Sequence, residues 1–486
     1  MVKKNLIVKK FLNKILHNFK TSKKEFFKYG KEKCTYDAAY SEIKKINFFL
    51  KDYKKEKIAV FSEKSIGYYL SVISIILSGN TWIQFSNATP LNRIKEIIKF
   101  TNIKVGILDK SFNLKNFYKF KNLRLLKYDK IIKSKNMKSF TLSNINSTDI
   151  ACIFFTSGST GKPKGVLIDY LNLAESVNYQ IKNLDYSREE IFADCHDTTF
   201  VMSICTIFPM LLLNCTISPL INLNDKIFPL DHIKKNKITT LITVPSFILY
   251  NKQRLQDLKI KNLILCGESF PYNILKLILT KIKFKNLYNC YGATELSPWA
   301  FSYKYKKKDY KFLKLMRKIP IGKAFRGVKS FVNEKNELCI SGSVVSKGYL
   351  NNLKDTKEKF FSKNKEIFYN TGDLCIRKNN LYFIEGRNDS MVKIRGYRVD
   401  LNEIDNTIKV LSSINLSFSY LSGTNKKPYI VTVFNSENKK NISKIKKIIQ
   451  INLPAYMIPK KIFQITKIPF NKNGKIDRIF LKKKYQ

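Results

Sequence analysis

Thr156-Ser157-Gly158-Ser159-Thr160-Gly161-Lys162-Pro163-Lys164-Gly165 lies between the apolar runs 150–155 and 166–168. Three glycines, four hydroxyls and two lysines in ten residues describe a loop that can wrap a polyphosphate. Glycine lets the backbone approach the oxygens, hydroxyls and amides donate to them, and lysine supplies point charge. The apolar flanks make this a strand, loop and strand rather than a flexible linker. It is not a Walker A loop, because two residues separate Gly158 from Gly161 where that motif needs four, and Pro163 follows Lys162.

Outward from this loop, residues 35–50 read as a short strand entering an amphipathic helix, and strand-like runs recur at 58–61, 105–108, 239–244 and 263–265, separated by helical patterns such as 68–77. That alternation predicts an α/β fold with mostly parallel sheets. From about residue 330 short strands with turn residues follow (337–342, 372–376, 381–384), predicting a small β-rich subdomain. After Gly386-Arg387 a compact α+β unit begins. The expected division is a large domain over 1–386 and a small C-terminal one over 387–486.

The 486 residues are 44% hydrophobic, enough for proper cores. No run reaches the ~18 apolar residues of a membrane span. The lysine-rich start lacks a signal-peptide core, so a cytoplasmic location is expected. Nine cysteines without a C-x-x-C pair and only three histidines argue against zinc or a disulfide framework. The net charge of +52 is spread along the chain and carried mainly by lysine. That pattern fits a compositional bias on solvated faces, and no nucleic acid is expected as partner. A basic nucleic-acid or membrane-surface binding protein is the alternative of a different class. The same charge would steer an acidic partner toward the surface.

The ten-residue loop resembles the phosphate-loop signature of the adenylate-forming superfamily, which includes acyl-CoA synthetases, luciferases and amino-acid adenylation domains. Further motifs follow in the family's order. Tyr291-Gly292-Ala293-Thr294-Glu295 is similar to its second nucleotide motif, although alone it reads equally as a turn. Asn370-Thr371-Gly372-Asp373 resembles its T-G-D element, and 386–399 the segment that joins its two domains. Leu453-Pro454-Ala455-Tyr456-Met457-Ile458-Pro459 precedes Asn473-Gly474-Lys475, similar to its C-terminal lysine motif.

The resemblance implies an ATP- and Mg²⁺-dependent ligase with a small domain hinged at Asp389. Ser157, Gly158, Ser159, Thr160, Gly161, Lys162 and Lys164 would hold phosphates, with Thr156 counted among the catalytic residues. Tyr291 and Gly292 would lie beside adenine, Thr294 would bond the α-phosphate and Glu295 would hold Mg²⁺. Asp373 would accept the ribose hydroxyls, Arg387 would sit near the ribose-phosphate, and Lys475 would reach the reacting carboxylate.

Asp197, in Cys195-His196-Asp197-Thr198, stands where amino-acid-activating members pair an aspartate with the substrate ammonium. A helix N-cap before 200–213 is the other reading. His196 is similar to the gating residue of acyl- and aryl-CoA ligases. Cys266 resembles the cysteine that abuts a small side chain in D-alanine:carrier-protein ligases, or is an ordinary buried thiol. The function expected is adenylation of an amino acid and its transfer to the phosphopantetheine thiol of a separate carrier protein. The chain stops eleven residues after Lys475, which reads as leaving no room for a fused carrier. An acyl- or aryl-CoA synthetase using free coenzyme A is the runner-up.

Overall fold

The computed structural model describes residues 2–113, 122–137, 142, 144–156, 163–388, 391–412, 414, 416–424, 427–436, 442–466, 469 and 478–485. Two compact units emerge. The first comprises Met1–Ser86, Thr101–Phe154 and Gly165–Asn388, and the second Asn87–Phe100, Phe155–Lys164 and Asp389–Gln486.

The first unit is built on two large sheets and one small one. The larger sheet runs, in spatial order, Lys323–Ala324, Phe301–Lys304, Ile282–Tyr291, Leu258–Cys266, Thr240–Thr243, Ile191–Asp194, Thr216–Pro219, Glu25–Tyr29 and Glu32–Thr35. Its central strands, from Ile282–Tyr291 to Glu25–Tyr29, are parallel. At its centre Ile191–Asp194 and Thr240–Thr243 are short and mostly buried. A six-stranded sheet contains Arg124–Lys127, Val105–Leu108, Lys57–Phe61, Thr81–Phe85, Ile150–Thr156 and Lys164–Asp169 in that order. The helix Ile66–Leu77, apolar all round, is buried along almost its whole length. The β-rich region expected after residue 330 is a five-stranded sheet with antiparallel pairing throughout.

The second unit holds the hairpin Met391–Ile394/Tyr397–Asp400 and a three-stranded sheet of Leu416–Thr424, Lys427–Asn435 and Lys461–Ile465. Helices Leu401–Ser412 and Ile442–Asn452 supply Ile404, Ile408, Ile445 and Ile449 to its core. Within this unit Arg93 Nη1 donates to Glu403 Oε1 at 2.7 Å, with both side chains buried. A buried charge is tolerated where such a partner meets it.

The lysine-rich start of the chain is a 20-residue helix, Val2–Thr21, which the sequence reading did not anticipate. Val8, Phe11, Leu12, Ile15, Leu16 and Phe19 recur at three- and four-residue spacing and are all buried. The lysines occupy the opposite face. Phe19 packs on Tyr36 with ring centroids 5.0 Å apart, and Asn18 Nδ2 donates to the Leu211 carbonyl at 2.8 Å. Phe19→Ala should therefore cost about 3–5 kcal/mol in denaturant unfolding, whereas Lys14→Ala on the solvent face should stay within ~0.5 kcal/mol.

Candidate active site

In open α/β sheets ligands bind outside the carboxyl ends of the strands. Three expected site segments lie at such ends in the larger sheet. Cys195-His196-Asp197 follows Ile191–Asp194, Cys266 ends Leu258–Cys266, and Tyr291-Gly292 ends Ile282–Tyr291 and leads to the short helix Thr294–Leu296. Cys266 is the register partner of Cys290, which places it beside the residue before Tyr291.

Tyr291, Asp373 and Arg387 come together although 82 and 14 residues separate the bonded pairs. The Tyr291 hydroxyl donates to Asp373 Oδ2, and Arg387 Nη1 donates to Asp373 Oδ1. Arg387 Nη2 also reaches the Thr371 carbonyl at 3.0 Å. Burial and the Asp373 carboxylate push the Tyr291 phenol well above its ordinary range, so it remains a donor. Two of the ~four acceptor positions of the carboxylate are used by these bonds, which leaves capacity for further hydroxyl donors. Asp373 stands within the long strand Glu366–Lys378, opposite Arg387 in register, rather than in a β-turn.

Gly292 admits no side chain: a Cβ there would lie 1.9 Å from the Pro298 carbonyl oxygen. Glu295 is buried and its Oε1 accepts from the Tyr349 hydroxyl at 2.8 Å, while Thr294 is half-buried at the start of the same short helix. Among the described residues no group of three or more His, Cys, Asp or Glu gathers to hold a metal. Glu295 offers a carboxylate, the ligand type that Mg²⁺ commonly takes together with phosphate oxygens.

Asp197 is half-buried and does not cap the following helix, whose N-cap is Val201 without a side-chain bond. Its Oδ1 accepts from the Thr199 amide at 2.9 Å and the Thr199 hydroxyl at 2.6 Å, and Ser86 Oγ lies 3.4 Å from both oxygens. Cys266, Thr198 and Val201 are all buried, and the Cys266 thiol points to the Thr243 carbonyl at 3.6 Å.

The sequence reading missed a buried cluster directly before His196. Lys64 Nζ donates to the Asp194 carbonyl at 2.7 Å and lies 3.4 Å from Asp194 Oδ1, while Tyr69 donates to Asp194 Oδ2 at 2.6 Å. His196 Nε2 is buried without a hydrogen-bond partner among the described residues. Tyr349 and Glu337 were also missed. The glycine before Tyr349 and the strand it follows were the only signals for that tyrosine.

Thr156 ends the strand Ile150–Thr156, and Lys164 begins Lys164–Asp169. Ser157, Gly158, Ser159, Thr160, Gly161, Lys162, Asp389 and Lys475 lie outside the described residues.

The sequence profile described as AMP-binding enzyme matches residues 17–350, and the chain belongs to that family. Membership sets the reaction class as ATP-dependent adenylate formation. The chain is 28% identical over 472 residues to a D-alanine–D-alanyl carrier protein ligase of Staphylococcus epidermidis, covering 92% of this chain and 93% of that one. It is 27% identical over 445 residues to bacitracin synthase 1 of Bacillus licheniformis, a match covering 86% of this chain and 8% of the much longer relative. In fold it is similar to a Vibrio cholerae adenylation domain solved with glycyl-adenosine-5'-phosphate, with a TM-score of 0.82 at 19% identity over 96% of each chain.

Burial lowers the His196 pKa to about 4, with Asp194 opposing the shift and Lys64 adding to it. The unfolded chain takes up a proton near the ordinary value of ~6.5 that the folded ring refuses, so stability is full above that pH and falls as the pH drops toward 4. The native protein should lose about 2 kcal/mol through this group between pH 7 and pH 5, a loss that His196→Phe removes. Denaturant unfolding of both proteins at the two pH values reads the difference.

Proposed function

We propose that this chain adenylates an amino acid with ATP and transfers the aminoacyl group to the phosphopantetheine thiol of a carrier protein. The observation that carries the amino-acid reading is Asp197, held at the carboxyl end of a central strand by Thr199 and not spent on capping a helix. A carboxylate that substrate will enclose needs a cation, and an α-ammonium supplies it. Buried Cys266, Thr198 and Val201 favour a small side chain. The naming of relatives as D-alanine–D-alanyl carrier protein ligases supports both the amino acid and the carrier.

In the adenylation step the substrate carboxylate attacks the α-phosphorus of ATP in line and pyrophosphate leaves. Asp373 accepts the ribose hydroxyls, Arg387 lies by the ribose-phosphate, Tyr291 and Gly292 form the wall beside adenine, and Thr294 bonds the α-phosphate. Thr156, residues 157–162 and Lys164 hold the outer phosphates. Glu295 would hold Mg²⁺, whose charge would neutralise phosphate oxygens. Lys475, on a C-terminal domain of 387–486 that turns about Asp389, neutralises charge developing in the transition state. His196, neutral and with a bare nitrogen, faces the thiol's route to the adenylate.

The reaction is placed in the cytoplasm, consistent with nine free cysteines. Among the described residues no helix is long and apolar enough to cross a membrane.

Asp197→Asn keeps the side chain's shape and removes its charge. Amino-acid-dependent ATP–pyrophosphate exchange should fall by ~10²-fold or more. Unchanged exchange in this variant would show that Asp197 does not meet an ammonium.

A further inference from the structure

Glu337 opens the strand Glu337–Ser341 and is buried, 7% exposed. Its carboxylate is surrounded by side-chain amides. Asn370 Nδ2 donates to Oε2 at 2.8 Å, Asn333 Nδ2 to the same oxygen at 3.2 Å, and Asn388 Nδ2 to Oε1 at 3.1 Å. Burial works against the charge, but these amides hold the carboxyl below its ordinary range.

Two of the three amides bracket the nucleotide-site carboxylate. Asn370 stands three residues before Asp373, and Asn388 directly follows Arg387. Between Thr371 and Asp373, Gly372 is gripped from both sides: its N–H donates to Asn370 Oδ1 at 3.1 Å and its carbonyl accepts from the backbone N–H of Asn388 at 3.0 Å. Gly372 has φ +70°, a conformation that L side chains rarely adopt, so the bend depends on these tethers and on glycine. Thr371 Oγ1 in turn donates to the carbonyl of Leu338, the neighbour of Glu337, and accepts from the Asp373 N–H at 3.0 Å.

Two of these three amides cannot turn over. Asn370 Oδ1 is held by the Gly372 N–H, and Asn333 Oδ1 accepts from the N–H groups of Lys335 at 3.0 Å and of Glu337 at 2.8 Å. Their NH₂ groups must therefore face residue 337, and both meet its Oε2, which has to accept.

We propose that Glu337 is a positioning residue for nucleotide binding, which through Asn370 and Asn388 fixes Gly372 and so the placement of Asp373 and Arg387 against the ribose. The proposal rests on the reading of Asp373 as the ribose acceptor. Glu337→Gln keeps an accepting oxygen for the two locked amides but sets its NH₂ where Oε1 accepts from Asn388, so the Asn388 tether, and with it the hold on the Gly372 carbonyl, is lost. Asp373→Ala tests the underlying reading separately.

The measurement is kcat/KM in amino-acid-dependent ATP–pyrophosphate exchange with ATP, 2′-deoxy-ATP and 3′-deoxy-ATP. The native protein should prefer ATP, and Asp373→Ala should abolish the preference. Glu337→Gln should cut it by about tenfold, the size of a displaced charge-assisted hydrogen bond, while the KM for the amino acid stays within about twofold. Full preference in Glu337→Gln alongside its loss in Asp373→Ala overturns the positioning role and leaves the ribose reading standing. Full preference in Asp373→Ala overturns the ribose reading and the proposal with it. Should Glu337→Gln fail to fold, Asn388→Ala, whose side chain is exposed, carries the same expectation at smaller size, and an unchanged preference there is equally contrary.

Discussion

The Asp373 carboxylate is shared between the Tyr291 hydroxyl and the Arg387 guanidinium, and so joins the end of a parallel strand to two strands of the antiparallel sheet. A bare buried carboxylate would cost several kcal/mol, whereas one met by a cation and a hydroxyl is stable and rigid. The same oxygens are suited to a cis-diol. The interaction that sets one sheet against the other is thereby also the one that, on the proposed reading, would prepare a ribose contact.

Around it the fold supplies the remaining parts by a simple rule. Parallel strands end together, so segments far apart in sequence reach one edge: Cys195–Asp197, Cys266 and Tyr291–Glu295 all emerge there. Side-chain partners fix the polar groups there. Glu295 is held by Tyr349, Asp197 by Thr199, and Glu268 binds both the Ser246 hydroxyl at 3.0 Å and the Ser246 amide at 2.9 Å, tying the loops after two adjacent strands. Rigid partners of this kind suit catalysis by orientation, where the groups must be in place before charge develops.

Much of this was legible in the sequence because the chemistry needs residues in fixed local patterns. The glycine-rich loop, Y-G-A-T-E and T-G-D are such patterns, and the alternation of apolar runs with helical periods announced the parallel sheets. What could not be read were side chains whose meaning comes only from distant partners. Lys64 is one of 89 lysines and arginines, and nothing near it in sequence foretells Asp194, 130 residues on. Glu337 draws its role from amides at 333, 370 and 388. The first helix was overlooked for a different reason: the start was read only for a signal-peptide core, while the apolar spacing from Val8 to Phe19 already described a packed face. The capping reading of Asp197 was likewise open until the helix start at Met202 removed it.

The central claim is that this edge of the sheet activates an amino acid rather than a fatty or aryl acid. ATP–pyrophosphate exchange measured on the purified chain against panels of L- and D-amino acids, fatty acids and aryl acids tests it most directly. The account predicts exchange that depends on a small amino acid and is absent with acids lacking an α-ammonium. Exchange supported by fatty or aryl acids, with none from any amino acid, would contradict it.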